Sequence, residues 1–310
     1  MNQKRAIPKI KAKKGSKHEA CVGFSMAVVP IIGFVLFSLI PIVLAILMAF
    51  MKIKGYNFNN ATFVGFDNFK KIFTDPKFYS ALKITFLEAL ALPLSIAISL
   101  IIAFLLNRKL KGAKIFRSIF FIPFVCSVVA ISTMWKWLLE ENFGIINQFL
   151  NSIGIQSIGW LSDSKYAPIS MFFINLWNAP ALGIILYSAS LANVPKSYYE
   201  AASVDGASKL SQFFNITLPA VSPTTFYLLV MGSINYLQDF TKYQVVLGNN
   251  GGPSNSGLTL VFYVWQMAFK YNTTMGMGMA SCLAIIIALI IAMVVALLYA
   301  TSKLWVSYDY

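Results

Sequence analysis

The sequence is poor in the residues on which most enzymes and metal sites depend. Its 310 residues include one histidine, His18, and three cysteines, Cys21, Cys126 and Cys282. The cysteines lie far apart, without the spacing of a metal or redox motif, so we interpret them as small buried hydrophobic residues. A single histidine in a basic tail excludes His-based catalysis and most transition-metal sites. A membrane enzyme would need a cluster of His, Asp or Cys that this sequence lacks.

Charge is scarce as well, and apolar residues are abundant. Only 12% of the residues are charged and 58% are hydrophobic, whereas a soluble domain of this length needs more charge on its surface. Several apolar runs are about 20 residues long, enough to cross a bilayer as helices. We therefore predict an all-α, polytopic membrane protein with about six transmembrane helices, at residues 24–50, 81–106, 115–139, 169–191, 221–247 and 277–301.

The net charge of +14 is unevenly placed. Seven basic residues crowd the tail at 1–20 and five more fill the link at 108–117. By the positive-inside rule both segments lie in the cytoplasm, and six spans then place the C-terminus there too. Five lysines in the loop 51–80 oppose this topology. We expect the tail to contact anionic lipid; a nucleic-acid-binding arm is the alternative, but no second element supports it.

A polar segment between the fourth and fifth predicted spans has an unusual pattern. It runs from Glu200-Ala201-Ala202 through Asp205-Gly206 to Leu218-Pro219. We predict a helix at about 197–205, a left-handed C-cap at Gly206, a second helix near 208–214, and a turn back to the membrane at Leu218-Pro219. Two small alanines allow another protein to approach closely, and Glu200 can pair with a basic partner.

The spacing Glu-Ala-Ala, three residues, Gly, nine residues, Ile-x-Leu-Pro resembles the EAA loop of the membrane subunits of bacterial ABC importers. The resemblance to the maltose-type carbohydrate uptake family covers about residues 24–303. It implies the type I importer permease fold, with residues 21–310 as a single transmembrane domain. It also implies that the loop 195–219 docks on an ATPase through Glu200, Ala201, Ala202, Asp205, Gly206, Leu218 and Pro219.

The same resemblance implies a set of partners. They are a second, homologous permease subunit, two cytoplasmic ATPase subunits that hold ATP and Mg, and an external binding protein. We expect no cofactor in this chain, because its glycine runs are not followed by the Lys-Ser/Thr of a P-loop. The run Gly251-Gly252-Pro253 resembles the external loop that faces the binding protein in one subunit of maltose-type importers.

Polar residues interrupt two of the predicted spans. Asn175 and Asn178 lie in the fourth, and Asn235, Tyr236 and Asp239 in the fifth. A polar side chain inside a membrane is costly and faces either a cavity or a partner helix, so substrate contact and helix–helix hydrogen bonding both stay open. The resemblance favours a sugar cavity and adds two residues to its lining, Leu182 and Gly232.

We therefore predict a permease subunit of an ATP-driven importer, in a bacterial cell membrane, that moves a sugar or oligosaccharide by alternating access. A non-sugar solute such as a phosphate ester stays open as substrate. An ion-coupled secondary transporter would need acids within the membrane, and Glu88 and Asp239 are few; that alternative also leaves the EAA pattern unexplained. For Glu88 itself, a hydrogen bond to a neighbouring helix is favoured over a proton relay.

Overall fold

The protein is described here from a computed structural model, which is helical over most of its length. The described residues are 17–53, 55–107, 113–178, 180–271 and 276–307. Within them the only strands are Met51–Lys52 (β1) and Thr62–Phe63 (β2), which pair antiparallel. The expectation of an all-α membrane protein is confirmed apart from this small ribbon. Most of the predicted basic tail lies outside the described residues.

Contacts divide the chain into two units, residues 1–47 and 48–310. The first unit contains helix α1 (Lys17–Phe34), a π-helical turn (Val35–Leu39) and most of α2 (Ile40–Ala49). Together they form an apolar helix from Val22 to Ala49, which confirms the first predicted span. Its apolar side chains are exposed along its length, as a lipid-facing surface requires.

The second unit contains the remaining helices. In chain order they are α3 (Asp67–Thr74), α4 (Pro76–Ala89), α5 (Ala91–Leu106), α6 (Ala113–Val125), α7 (Val128–Leu138), α8 (Ile145–Ser152), α9 (Tyr166–Asn178), α10 (Pro180–Asn193), α11 (Lys196–Val204), α12 (Lys209–Gln212), α13 (Leu218–Ala220), α14 (Ser222–Gln238), α15 (Thr241–Leu247), α16 (Leu260–Trp265) and α17 (Gly276–Ser302).

Four helical segments are long and apolar enough to cross a membrane within the described part of the chain. They are Val22–Ala49, Pro76–Leu106, Tyr166–Asn193 and Gly276–Ser302, and they confirm the predicted spans one, two, four and six. A fifth is obtained if Lys209–Ala220 and Ser222–Gln238, which meet at a bend of 60°, are taken as one span. The described part of the chain thus supplies four or five such segments, against about six predicted transmembrane helices.

The third and fifth predicted spans are broken helices. The third, at 115–139, consists of α6 and α7, because Ser127 adopts an extended ψ of 135° that ends the helical hydrogen-bond ladder. The fifth, at 221–247, ends as a helix at Gln238, since Asp239 adopts a ψ of 126° before α15 begins. Both breaks put backbone that is not helical inside an apolar region, which membrane proteins tolerate where protein or a cavity surrounds it.

The loops of the second unit are held by buried asparagines. Asn68 in α3 donates to the carbonyl oxygens of Ala49 and Met51, at 2.8 and 3.0 Å, so the segment after β2 is held against the end of α2 and β1. Asn147 in α8 donates to the carbonyl of Ile158 at 2.9 Å and accepts from the indole of Trp160 at 3.0 Å. Asn68 satisfies carbonyl groups at the end of α2 and in β1, and Asn147 satisfies backbone groups of the loop after α8.

Two hydrophobic clusters form the core of the second unit. One joins α3, α4, α9 and α15–α17, and it includes the fully buried Met171, Phe262 and Leu283. The other joins α5, α10 and α14 through residues such as Leu100, Tyr187 and Leu228. The polar residues of the predicted cavity lie where α4, α5, α9 and α14 meet, between these two clusters.

Candidate functional site

The segment 195–219 folds as two short helices joined by a glycine turn. The first helix, α11, spans Lys196–Val204, within one residue of the prediction. Gly206 has a φ of +75°, a left-handed conformation that costs a glycine little. The amide of Ala207 donates to the carbonyl of Ala202 at 2.8 Å, which closes the end of α11. The predicted helix–turn–helix geometry is present.

The second half of this segment differs from the prediction. Helix α12 spans only Lys209–Gln212, and a π-helical turn (Phe213–Thr217) and α13 continue it. Leu218 and Pro219 are the first two residues of α13, so they are helical and do not form the predicted turn. The chain turns at Val221 instead, whose φ and ψ of −95° and 2° leave the helix.

Side-chain hydrogen bonds hold the two halves of the loop together. Gln212 is buried and donates to the hydroxyl of Ser203 at 2.9 Å and to the carbonyl of Ala207 at 3.3 Å. The hydroxyls of Tyr199 and Thr217 are 3.0 Å apart. The angle between the helices is therefore fixed within the chain. The sequence prediction missed Gln212, whose only signal is an amide one helical turn after the Ser208 N-cap.

The loop presents a mixed acidic and apolar surface. Glu200, Ala201 and Asp205 are exposed and Ala202 is half-buried. Beside them, 88% of Val204, 69% of Leu210 and 55% of Phe214 are exposed. Apolar side chains grouped on a surface with carboxylates suit docking to a partner that offers apolar and basic residues.

A cavity of about 220 Å³ lies between α5, α10 and α14. Six of the seven predicted cavity residues line it, namely Asn175, Leu182, Gly232, Asn235, Tyr236 and Asp239. The seventh, Asn178, is the last residue of α9, and its side chain lies outside the described residues. Fold geometry thus brings the predicted set together; whether it contacts substrate stays a prediction.

A buried polar network forms one wall of this cavity. The amide nitrogen of Asn175 donates to the Glu88 carboxylate at 2.9 Å and to the Tyr243 hydroxyl at 2.7 Å. Its amide oxygen accepts from the ammonium of Lys242 at 2.7 Å. Lys242 also forms an ion pair of 2.8 Å with Asp239. Four helices, α4, α9, α14 and α15, are connected through these five side chains.

This network revises the expected role of Asn175. Only 2% of the residue is exposed, and both the hydrogens and the oxygen of its amide are engaged by protein groups. Of the two possibilities left open by the sequence, the structure shows helix–helix hydrogen bonding for Asn175. Asn175 also lines the cavity, and its contact with substrate stays a prediction. The expected hydrogen bond of Glu88 to a neighbouring helix is confirmed by its contact with Asn175.

The sequence prediction missed the residues of α5 that line the cavity, and it also missed Lys242. Leu92, Ser95 and Ser99 line the cavity from α5. The positions 88, 92, 95 and 99 share one helical face at intervals of three and four residues, and two serines on that face of an apolar span could have marked it. Lys242 was not predicted as a cavity residue, because nothing local indicates its partner Asn175.

The Gly251-Gly252-Pro253 run shapes a tight loop after α15. Gly251 and Gly252 have φ of +78° and +79°. Gly251 is buried, whereas Asn249 and Asn250 are exposed. The carbonyl of Asn249 accepts from the Gln266 amide at 2.9 Å. If this loop contacts a binding protein, the asparagines and not Gly251 present the surface.

Acidic and sulfur ligands do not gather at one place. Over the described residues, no group of three or more His, Cys, Asp or Glu side chains could hold a metal ion. The carboxylates of the cavity are instead engaged by Lys242 and Asn175. This arrangement supports hydrogen bonding to a solute.

Comparisons with known proteins agree with this architecture. Residues 95–304 match the family described as binding-protein-dependent transport system inner membrane component. The probable ABC transporter permease protein YesP of Bacillus subtilis is 34% identical, over 97% of this chain and 96% of YesP. The arabinooligosaccharides transport system permease protein AraP of Halalkalibacterium halodurans is 33% identical, over 81% of this chain and 78% of AraP.

A solved structure shares the fold. A chain from the crystal structure of a bacterial ABC transporter involved in the import of the acidic polysaccharide alginate has a TM-score of 0.80 and 23% identity, covering 92% of this chain and 96% of that chain. The family is a component of transport systems and not of enzymes. The helices that cross the membrane, the exposed coupling-type loop and the family match lead to one conclusion: this chain belongs to the binding-protein-dependent transport system inner membrane components, the permease subunits of ABC importers.

Proposed function

We propose that this permease moves a sugar or oligosaccharide from an external binding protein into the cytoplasm. The observation that carries the proposal is the mixed lining of the cavity. Asn235, Tyr236 and Asp239 offer polar groups, and Leu92 and Leu182 offer apolar surface. A sugar ring has apolar faces and a polar edge, so it matches such a lining.

Two further points support a sugar. AraP, which is similar over most of its length, is named as a permease for arabinooligosaccharides. A phosphate ester fits the cavity less well, because the ammonium of Lys242 is already paired with Asp239 at 2.8 Å. A phosphate would have to displace this carboxylate to be neutralised.

The partners follow from the family and from the size of the cavity. A cavity of about 220 Å³ is smaller than the roughly 300–1,000 Å³ typical of ligand sites. A second, homologous permease subunit would complete it. Two cytoplasmic ATPase subunits, which hold ATP and Mg, would bind the loop 195–219, and the binding protein would dock at the opposite face.

A movement of the loop 195–219 would be transmitted to the cavity through α14. This helix begins directly after the coupling loop, at Ser222, and ends at Gln238, beside the cavity residue Asp239. Closure of the ATPases would displace the loop, and α14 would carry the displacement to the cavity over about 25 Å. The cavity would then open alternately to the two sides.

The substrate class is tested by uptake in cells. A strain without this gene is complemented with the wild-type gene, and the entry of labelled di- and trisaccharides is measured against labelled glycerol phosphate. We expect saccharide uptake to depend on the gene and on ATP, and glycerol phosphate uptake to be independent of it. The reverse dependence would replace the sugar by a phosphate ester as the proposed substrate.

The topology is tested by labelling in intact cells. We propose that the N-terminus, the C-terminus and the loop 195–219 are cytoplasmic, in a bacterial cell membrane. The exposed residues Val204 and Asn250 are replaced singly by cysteine, in a chain without its own three cysteines. An impermeant thiol reagent should label position 250 and not 204. Labelling at 204 alone would invert the topology.

A further inference from the structure

The buried network contains a cation that the proposed sugar site does not by itself require. Lys242 is 9% exposed and lines the cavity, and its ammonium contacts the Asp239 carboxylate at 2.8 Å and the Asn175 amide oxygen at 2.7 Å. A lysine inside an apolar helical region is costly unless its partners repay the desolvation. Its presence there calls for a function beyond packing.

The first part of that function concerns Asp239. The ion pair uses the oxygen Oδ2, and 21% of the Asp239 side chain is still exposed. Asp239 and Lys242 are three residues apart, on either side of the break between α14 and α15. Lys242 thus balances the charge of the carboxylate and fixes its direction at a point where the backbone is not helical. A carboxylate held in this way is a strong acceptor for a hydroxyl group.

The second part concerns Asn175. An amide can be rotated so that its oxygen and nitrogen exchange places, and its neighbours decide between the two orientations. Lys242 can only donate, so it holds the amide oxygen, and the nitrogen is directed to Glu88 and Tyr243. Without the Lys242 ammonium, the Asn175 amide would no longer be held in the orientation in which it donates to Glu88. The hydrogen bond that connects α4 to α9 would then be lost.

We propose that Lys242 is a positioning residue of the transport cavity, which holds Asp239 as the acceptor for a substrate hydroxyl and holds Asn175 as a connector between helices. The inference rests on the proposed function, because it assigns Asp239 to the sugar and assigns Asn175 to the protein. It predicts that Asp239 and Asn175 respond differently to substitution, although both residues line the cavity.

The location of the network adds a consequence for coupling. Asp239 follows the last residue of α14, the helix that begins at the end of the coupling loop, and Lys242 ties it to α9 and α4. A displacement of α14 therefore acts on the carboxylate that would hold the sugar. The ion pair between Lys242 and Asp239 therefore places the proposed substrate contact at the end of α14.

The test uses the complete importer with its ATPase and binding protein, reconstituted in proteoliposomes with ATP. Complex yield, ATP hydrolysis, and the Vmax and KM of saccharide uptake are measured for wild type, Lys242→Met, Lys242→Arg, Asp239→Asn and the double variant Lys242→Met/Asp239→Asn. Lys83→Met is the matched control, since Lys83 is an exposed residue of the same α4 that carries Glu88.

We expect Lys242→Met to lower uptake about tenfold or more, the range for a hydrogen bond to a charged group. Lys242→Arg should recover most of the uptake, because it keeps the charge and the donors. The double variant removes both charges and should recover complex yield and ATP hydrolysis. Its uptake should stay low with a raised KM, because the charged acceptor is replaced by the weaker amide oxygen of asparagine. Lys83→Met should match wild type.

Two results would overturn the inference. One is uptake by Lys242→Met within about twofold of wild type. The other is full recovery of uptake, with wild-type KM, in the double variant, which would make the pair a matter of charge balance alone. A wild-type complex that hydrolyses ATP but imports no saccharide would instead refute the proposed function, so the two failures are distinguishable.

Discussion

The loop 195–219 and the cavity contrast in how their polar residues are used. In the loop, Glu200 and Asp205 are exposed, and the internal hydrogen bonds come from residues outside the Glu-Ala-Ala pattern, such as Gln212. In the cavity, the most prominent polar residue, Asn175, is buried and engaged by three side chains. Polar groups on a surface that binds a separate protein stay exposed to water. Polar side chains inside a membrane must instead form their hydrogen bonds within the chain.

The largest expected effect tests the buried half of this contrast. Asn175→Ala removes the partner of Glu88, Tyr243 and Lys242 together, so we expect the purified complex to lose about 3 kcal/mol or more of stability, as when a buried charge loses its partner. Thermal unfolding and complex yield measure it. Asn235→Ala, at an exposed position of the same cavity, is the control and should lower uptake without lowering the melting temperature. Equal melting temperatures for the two variants would contradict the contrast.

The next effect tests the glycine turn of the loop. Gly206 has a φ of +75° and open space around a Cβ position, so Gly206→Val adds backbone strain of about 1–3 kcal/mol without a collision. We expect uptake and the association of the ATPase subunits to fall, while the isolated binding protein keeps its sugar affinity. Gly154→Val, at an exposed glycine with a φ of +83°, introduces the same strain elsewhere. Normal ATPase association in the Gly206 variant would exclude the turn from coupling.

A smaller effect concerns the rigidity of the loop. Gln212→Ala removes the bonds to Ser203 and Ala207, at a cost of roughly 1–2 kcal/mol. We expect faster amide exchange in α11 and a lower ratio of sugar imported to ATP hydrolysed. Asn215→Ala is the control, because Asn215 is exposed and bonds only to Ser211 within its own turn. An unchanged ratio in Gln212→Ala would show that loop rigidity is not needed for coupling.

The smallest effect lies in the loop before α8, away from both regions. The backbone amides of Phe143 and Asn142 donate to the Glu140 carboxylate, at 2.8 and 2.6 Å, and lower its pKa from the ordinary 4.5. The stability from this carboxylate is therefore present above pH 4.5 and is lost as pH falls through the lower pKa of the folded state.

Amide exchange in residues 141–152, corrected for intrinsic rates, measures this contribution. Protection in wild type should fall as the pH is lowered below 4.5. Glu140→Gln should show a weaker pH dependence and little change in uptake, since the residue does not line the cavity. A wild-type profile in Glu140→Gln would show that the capping bonds do not stabilise the loop.

Some of this architecture follows from local patterns that the sequence displays directly. The span Gly276–Ser302 was predicted within one residue at each end, because an apolar run ends where polar residues begin. The loop helix Lys196–Val204 and the turn at Gly206 were equally accessible, since small residues, a glycine and a proline act on their own backbone. Glu200, Ala201 and Ala202 were recognisable because they are adjacent in the sequence; that they dock on an ATPase stays a prediction.

The rest was decided by tertiary structure. The breaks at Ser127 and Asp239 occur inside apolar runs that the sequence reads as continuous helices. The partners of Asn175 are 87, 68 and 67 positions away, at Glu88, Tyr243 and Lys242, so no local pattern could pair them. The sequence determined that polar groups would lie in the membrane, because it fixes their types and positions. Only the packing of four helices decided which of these groups pair with one another and which face the cavity.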